Sequence, residues 1–501
     1  MQEGLGALTS LEHLKLSIRD ITQLSEDEDV QLPPLPALTC LELDDTQVPV
    51  QLAGLPALAE LRLEGGDGSA DLLASEPAPQ LRHLSCRVAE LSVDLEMLPG
   101  LTAACFAPYT HLDGPASIEA ATALARLELW DIERHASSAL ELLCSLPPTL
   151  TSLALQGDWP AEAAEVMGQM TGLAALALGN SWEKELKAPP AEAPDWAGLR
   201  AFGWSVNGMY GDELNLPQGL RQASRLEALQ CHMWRYTMED TELLCSLPAL
   251  RKLILTTAFL RLDGDEGRAA LVASEPAPQL RHLVGLAGRL SADFSALPGL
   301  GYAALNARQQ LDQPASLAAA TALTCLELYD SVTYRDYDWD LKLLQSLPPA
   351  VSCLRLHGDW PPETILLLEE MKGLRALALD YWDPKNTLLP PVGALLWNRL
   401  RAFSWSCCKM YAERYNLPQG LRRSSQLEAL QACLVKPNTQ DMELITSLPG
   451  LRKVVIAHDN EDLDDPHCAD ARSIVQRALP HVALVEDEVL ESLDFFEWAF
   501  A

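Results

Sequence analysis

The side chains best suited to chemistry stand next to one another, at His467-Cys468 and Cys407-Cys408. A zinc ion needs cysteine and histidine ligands spaced by a turn, so adjacent residues lack the spacing of a metal site. A Cys–His nucleophile pair meets only in space, and none of the local residues that mark one surrounds either pair. "LDGDEG" from Leu262 opens like a calcium loop but lacks the third acidic ligand and the distal glutamate. "HDNEDLDDPHC" from His458 places Asp464 where that template requires glycine. "SEDED" from Ser25 to Asp29 reads as a solvated acidic loop. No glycine-rich phosphate loop, G-x-S-x-G or H-E-x-x-H occurs. The expectation is a protein with no catalytic residue, no metal and no cofactor, and therefore not an enzyme.

The bulk numbers narrow the partners. The chain has 501 residues, of which 37 are basic and 70 acidic, for a net charge of -33. Such a surface repels phosphate backbones and anionic lipid heads, so nucleic acid and membrane are excluded as expected partners. It favours basic proteins, and it also keeps a leucine-rich chain soluble. Apolar runs are broken by charges before any reaches the length of a membrane span. The start, "MQEGLGALTSLEHLKL", has no basic n-region followed by an apolar h-region. The 12 cysteines are scattered, and no N-x-S/T sequon is present. Cys40, Cys325 and Cys353 fall inside leucine-rich segments, where the expectation is small buried thiols. These features point to a reducing compartment, the cytoplasm, with the nucleus or an axoneme as alternatives, and not to secretion.

One pattern runs through the chain. "LTSLEHLKL" returns as "PALTCLEL", "PALAELRL", "ALARLEL", "GLAALAL", "ALRKLIL" and "GLRALAL", all fitting L-x-x-L-x-L. Its first position recurs at Leu11, Leu38, Leu58, Leu81, Leu101, Leu124, Leu150, Leu173, Leu199, Leu226 and Leu250. It continues at Leu280, Leu300, Leu323, Val351, Leu374, Leu400, Leu427, Leu451 and Val482, which makes 20 units. Each unit reads as a bend followed by a short strand whose alternate residues point inward. One unit cannot bury its apolar side alone, whereas a stack shares one continuous core. Between strands, "TMEDTELLCSLPALRKL" has helical leucine spacing after an acidic start at Met238-Glu239-Asp240. "DWPAEAAEVMGQM" and "DWPPETILLLEEM" are expected to form helices capped by Asp158 and Asp359. The units of about 20 residues leave room only for a turn or a 3-10 segment.

The stretch "ASEPAPQLRHL" occurs at Ala74 to Leu84 and again at Ala273 to Leu283, 199 positions later. From Leu81 the unit spacings run 20, 23, 26, 23, 26, 27, 24; from Leu280 they run 20, 23, 28, 23, 26, 27, 24. "GDWP" and "NLPQGLR" recur in step, so an eight-unit block is duplicated in tandem. The domain reading is a single solenoid over 1–478, with leading repeats over 1–80, a first block over 81–279 and its duplicate over 280–478. Residues 479–501, ending "EDEVLESLDFFEWAFA", read either as a cap over the last unit or as a peptide that docks into a partner.

On these motifs the chain resembles the leucine-rich-repeat superfamily. "DTELLCSLPALRKLIL" and "QDMELITSLPGLRKVVI" are similar to the intracellular, ribonuclease-inhibitor-like repeats that include the arms of F-box proteins. The alanine- and proline-rich wording is similar to repeat proteins of green algae. The resemblance implies an α/β leucine-rich-repeat solenoid, a curved horseshoe with parallel strands on the concave face and helices and turns on the convex face. It also implies a protein-binding role, and a ubiquitin-ligase recognition arm where an F-box is joined; none is read ahead of the first repeat in this sequence, so that version depends on an F-box missing from it. The family's ladder asparagine is replaced by Arg19, Thr46, Asp158, Ser181, Ala258 and Asp459.

Binding is expected on the strand residues that lie between the inward leucines. These include Glu42, Arg62, Glu128, Glu327 and Arg355, with small residues such as Ala177, Gly203 and Ala378 between them. Trp130 and Tyr329 follow the last strand leucine in matching units of the two blocks. Each is either an exposed anchor for a basic partner or a cover for its neighbour's strand edge. Trp204 and Trp405 take inward positions and are assigned to the core. The expected function is a protein-interaction scaffold, with a cytoskeletal or axonemal structural role as the alternative and an enzyme assembled across units as the rival class.

Overall fold

The computed structural model describes residues 9–17, 34–44, 50–64, 69–73, 77–87, 90–106, 115–130, 141, 143–157, 163, 166–167, 170–179, 195–205, 216–233, 237–256, 268–271, 279–286, 289–306, 314–329, 337–358, 360–361, 363–381, 391–407, 417–433, 439–457 and 483–484. They fall in two compact units, Met1–Leu250 and Arg251–Ala501.

The strands of the first unit are β1 (His13–Ser17), β2 (Cys40–Asp44), β3 (Val50–Gln51), β4 (Glu60–Glu64), β5 (Ser69–Leu73), β6 (His83–Arg87), β7 (Glu90–Val93), β8 (Ala103–Phe106), β9 (Arg126–Leu129), β10 (Ser152–Gln156), β11 (Ala175–Gly179), β12 (Ala201–Ser205) and β13 (Ala228–His232). Those of the second are β14 (Lys252–Thr256), β15 (Arg268–Leu271), β16 (His282–Leu286), β17 (Arg289–Ala292), β18 (Tyr302–Asn306), β19 (Cys325–Tyr329), β20 (Cys353–His357), β21 (Ala376–Tyr381), β22 (Ala402–Cys407), β23 (Ala429–Cys433), β24 (Lys453–Ala457) and β25 (Ala483–Leu484).

In the first unit the main sheet runs β1-β2-β4-β6-β8-β9-β10-β11-β12-β13, every neighbour parallel and in register. In the second it runs β14-β16-β18-β19-β20-β21-β22-β23-β24-β25 by the same rule. Except at Ala483, one residue after Val482, each main-sheet strand opens two residues after a leading leucine-type position. The last strand, β25, lies within the terminal segment 479–501; the aromatics beyond it are outside the described residues.

The alternation follows from the pleat, which sends successive side chains to opposite faces. In β9 and β10, Leu127, Leu129, Leu153 and Leu155 are no more than 4% exposed, and they form one spine with Leu124 and Leu150. Each such leucine contributes about 1.5–3 kcal/mol when buried. Trp204 in the first unit and Trp405 in the second are fully buried, each at the inward position assigned to it.

Backbone amides fasten the strand entries where the asparagine ladder is missing. The amides of Thr39 and Cys40 share the carbonyl of Glu12, those of Ala59 and Glu60 share that of Thr39, and those of Arg82 and His83 share that of Ala59. Threonine hydroxyls reinforce the same point: Thr102 donates to Arg82 and Thr324 to Gly301 across the unit step. The turn residues that replace the ladder asparagine all lie outside the described residues.

Opposite the strands, the longer repeats carry helices: α1 (Pro115–Ala120), α2 (Met238–Ser246), α3 (Tyr337–Gln345), α4 (Thr364–Glu370) and α5 (Thr439–Thr446). The units of 20 residues hold 3-10 turns, Leu95–Met97 and Phe294–Ala296. Two small parallel sheets also form outside the main sheets, β3-β5-β7 and β15-β17, which the expectation of helices and turns did not include. The extended backbones of these segments pair with one another, which satisfies their amides and carbonyls.

The helix after Asp359 starts later than expected, at Thr364. Pro362 disfavours helical geometry at Pro361, and the Thr364 amide donates to the Pro361 carbonyl at 3.0 Å just ahead of the helix. Trp360 instead packs into the core and donates its indole N–H to the His357 carbonyl at 3.2 Å. Asp158 and Asp359 lie outside the described residues.

The acidic start of α2 does more than complement the helix dipole. Asp240 completes a capping box with Thr237, and its other oxygen accepts from Leu216 N of the preceding unit at 2.6 Å. Asp441 accepts from Leu417 N at 2.7 Å in the duplicate. Both aspartates are fully buried, so each ties a helix to the turn before it in a setting that excludes water. The glycine of "NLPQGLR" explains that string: a methyl at Gly219 would overlap the Trp196 indole, and one at Gly420 the Trp397 indole.

Candidate functional site

The side chains of interest lie on the strand face that points away from the leucines. In the first unit charged residues there pair with one another. Lys15 reaches Glu42 at 2.7 Å across β1 and β2, and Glu42 stands in register with Arg62. Arg62 binds Glu60 on its own strand at 2.8 Å. That hydrogen bond, ahead of the smaller opposing effect of burial, raises the Arg62 pKa. Further along, Glu128 and Trp130 are half-buried, and the Arg87 guanidinium sits over the Trp130 ring, 5.1 Å from its centroid. Beyond them the face is made of Ala154, Ala177 and Gly203, all half-exposed, and then the exposed Gln230.

The second unit carries a different surface at the same positions. Glu327 is fully buried and Arg355 is 7% exposed, which corrects the expectation that both face solvent. A residue pointing away from the spine is exposed only where nothing lies over it, and here Val284, Ala304, Ala378 and Ser404 are buried with them. Cys325 and Cys353, expected to be buried thiols of the leucine core, are half-buried on this opposite face and pack on Ala376, Ala378, Ala402 and Ala429.

Register gathers five polar residues of β19, β20 and β21. Glu327 is the partner of Arg355, Tyr329 of His357, and His357 of Asp380. The Tyr329 hydroxyl donates to Glu327 Oε2 at 3.0 Å, and Arg355 Nε donates to Asp380 Oδ2 at 2.7 Å. His357 Nδ1 lies 3.1 Å from the same Asp380 oxygen, while its Nε2 is 3.9 Å from Glu327 Oε2. The rings of Tyr329 and His357 stack with centroids 3.9 Å apart.

The electrostatics of Arg355 and Tyr302 are those of a structural network. Burial lowers the Arg355 pKa, but the charges of Asp380 and Glu327 more than offset it, and the guanidinium is held charged. Burial and then Glu327 push the Tyr302 phenol up. The Cys325 thiol is raised by its bond to Cys353 and by burial. Cys353, lowered by that bond, lies four residues along the strand from His357, about 13 Å away. Base and thiol are therefore not within reach. Among the described residues no group of three or more His, Cys, Asp or Glu side chains gathers as a metal site.

His357, Asp380 and Tyr302 were missed from the sequence. The signal lay in comparing copies, because Arg355, His357 and Asp380 stand where the first block has Ala154, Gln156 and Gly179. Only Glu327 keeps its counterpart, Glu128.

No family model matches the sequence, and no curated protein matches it. Among solved structures, a leucine-rich-repeat protein of Leptospira interrogans aligns over 74% of this chain and 97% of its own, with 14% identity and a TM-score of 0.30. The deciding observation lies in the chain itself, a parallel strand behind each leading leucine-type position with helices and turns between. The fold is a leucine-rich-repeat solenoid. In such a solenoid the strand face is an extended surface for binding. No described helix is long and apolar enough to cross a membrane.

Proposed function

We propose that this leucine-rich-repeat protein is a non-enzymatic scaffold that grips a protein partner along the strand face of its first unit. The observation that supports this most is the contrast between copies. Ala154, Ala177 and Gly203 are half-exposed in the first unit, whereas Ala378 and Ser404 are buried at the equivalent positions of the second. Small side chains let a partner's backbone or side chain approach the sheet closely. Trp130 and Glu128 stand beside that trough and supply an aromatic surface and a negative charge for a basic partner. The net charge of -33 adds long-range attraction of the same sign.

Photo-crosslinking tests the reading. A crosslinking residue at Ala177 is expected to capture one defined protein in the native cell, and the same residue at Ala378 none. Capture from Ala378 and not from Ala177 overturns the choice of surface. The identity of the captured protein separates the narrower versions: a ubiquitin-ligase substrate or adaptor for a recognition arm, and a microtubule-associated protein for axonemal assembly.

A further inference from the structure

We propose that Cys325 and Cys353 form a reversible disulfide that clamps β19 to β20 beside the Glu327–Arg355 pair. The two cysteines are direct partners in the parallel ladder. Adjacent strands lie about 4.8 Å apart, inside the range of about 4.4–6.8 Å that Cα atoms take across a disulfide. Both side chains are half-buried on the same strand face, packed on one alanine cluster. They are partly exposed there, unlike the fully buried Cys86 and Cys231 on the leucine side of their strands.

The pair belongs to the second copy alone. The first block has Arg126 and Ser152 at these positions, a long cation and a hydroxyl that cannot couple. Cysteines were thus placed side by side on the two strands that also carry Glu327, Tyr329, Arg355 and His357. The local chemistry assigns the order of events. The Ser352 hydroxyl lies 3.8 Å from the Cys353 sulfur, where it can donate to a thiolate. Cys353 is therefore the attacking sulfur.

With glutathione disulfide as oxidant, the Cys353 thiolate attacks one of its sulfurs and expels a glutathione thiolate, leaving a mixed disulfide. The Cys325 thiol then loses its proton to water, and its sulfur displaces the second glutathione thiolate. The two thiols are oxidised to one disulfide, and one glutathione disulfide is reduced to two glutathiones.

The test is incubation of the full chain with glutathione disulfide, thiol alkylation under denaturing conditions, and peptide mass mapping. The expected result is one crosslinked peptide pair joining Cys325 to Cys353, lost on treatment with dithiothreitol. In Cys325→Ser, Cys353 is expected to stop at the mixed disulfide, whereas in Cys353→Ser the remaining Cys325 is expected to react slowly or not at all. Full alkylation of both cysteines after oxidation overturns the proposal, as does a stable mixed disulfide at Cys353 in the unaltered chain. Both variants are checked for unchanged far-ultraviolet circular dichroism, and Ser152 in the first copy shows that serine is accommodated at such a position.

Discussion

Tyr329 and His357 lie face to face, with ring centroids 3.9 Å apart and planes inclined by 10°. They occupy paired positions of adjacent parallel strands, and each is anchored at its far side to a carboxylate, Tyr329 to Glu327 and His357 to Asp380. The stack holds a charged network in one arrangement on a face that also carries buried alanines and Val284.

That network fixes one prediction. Arg355→Ala leaves Asp380 without its cation in a poorly hydrated site, and the expected loss of stability is about 3–5 kcal/mol. Replacing both partners, Arg355→Met with Asp380→Leu, is expected to recover most of it. Urea unfolding of the single and double variants measures both; a single variant as stable as the parent contradicts the account.

Gly358 has φ of 93° and Gly157 has φ of 119°, directly after their strands. The amide of Gly358 donates to the Asp380 carbonyl at 2.7 Å, so the conformation is held by the ladder itself. A side chain there is strained, and Gly358→Ala is expected to cost about 1–2 kcal/mol. A thermal midpoint equal to the parent's refutes the strain.

Asp441 tests how helices are tied to the preceding unit. In Asp441→Ala the buried Leu417 amide loses its acceptor, at a cost of about 1–3 kcal/mol. Hydrogen exchange at Leu417 is expected to accelerate along with exchange in α5. Unchanged exchange at Leu417 shows that the bond carries no stability.

Trp130→Ala is expected to weaken partner binding by about 2 kcal/mol, near thirtyfold in affinity, while leaving urea stability nearly intact. Its contact with Arg87 is exposed and contributes only about 0.5–1 kcal/mol. A binding isotherm unchanged by the substitution removes Trp130 from the surface.

His232 supplies a pH dependence. Burial holds its folded pKa below the ordinary value of 6.5, so the unfolded chain takes up the proton first. The stabilising contribution is complete above that value and declines as pH falls below it, toward the lower folded value. His232→Gln is expected to flatten the slope between about pH 7 and about pH 5 relative to the parent. Parallel slopes in the two proteins rule the contribution out.

The sequence by itself determined the architecture. Leucine-type residues at three fixed places impose strand periodicity and one-sided burial, and a unit of about 25 residues can satisfy both only by stacking. The inward places of Trp204 and Trp405 followed from the same pattern. Tertiary structure decided which face residues meet and which are covered. Glu327 and Arg355 occupy the same kind of position as the solvent-facing Arg62, and no local pattern separates buried from exposed there. His357 and Asp380 lie 23 residues apart in sequence, and strand register makes them neighbours. Periodicity specifies the face a side chain occupies, whereas its company depends on the residues opposite it on the next strand and on what lies above.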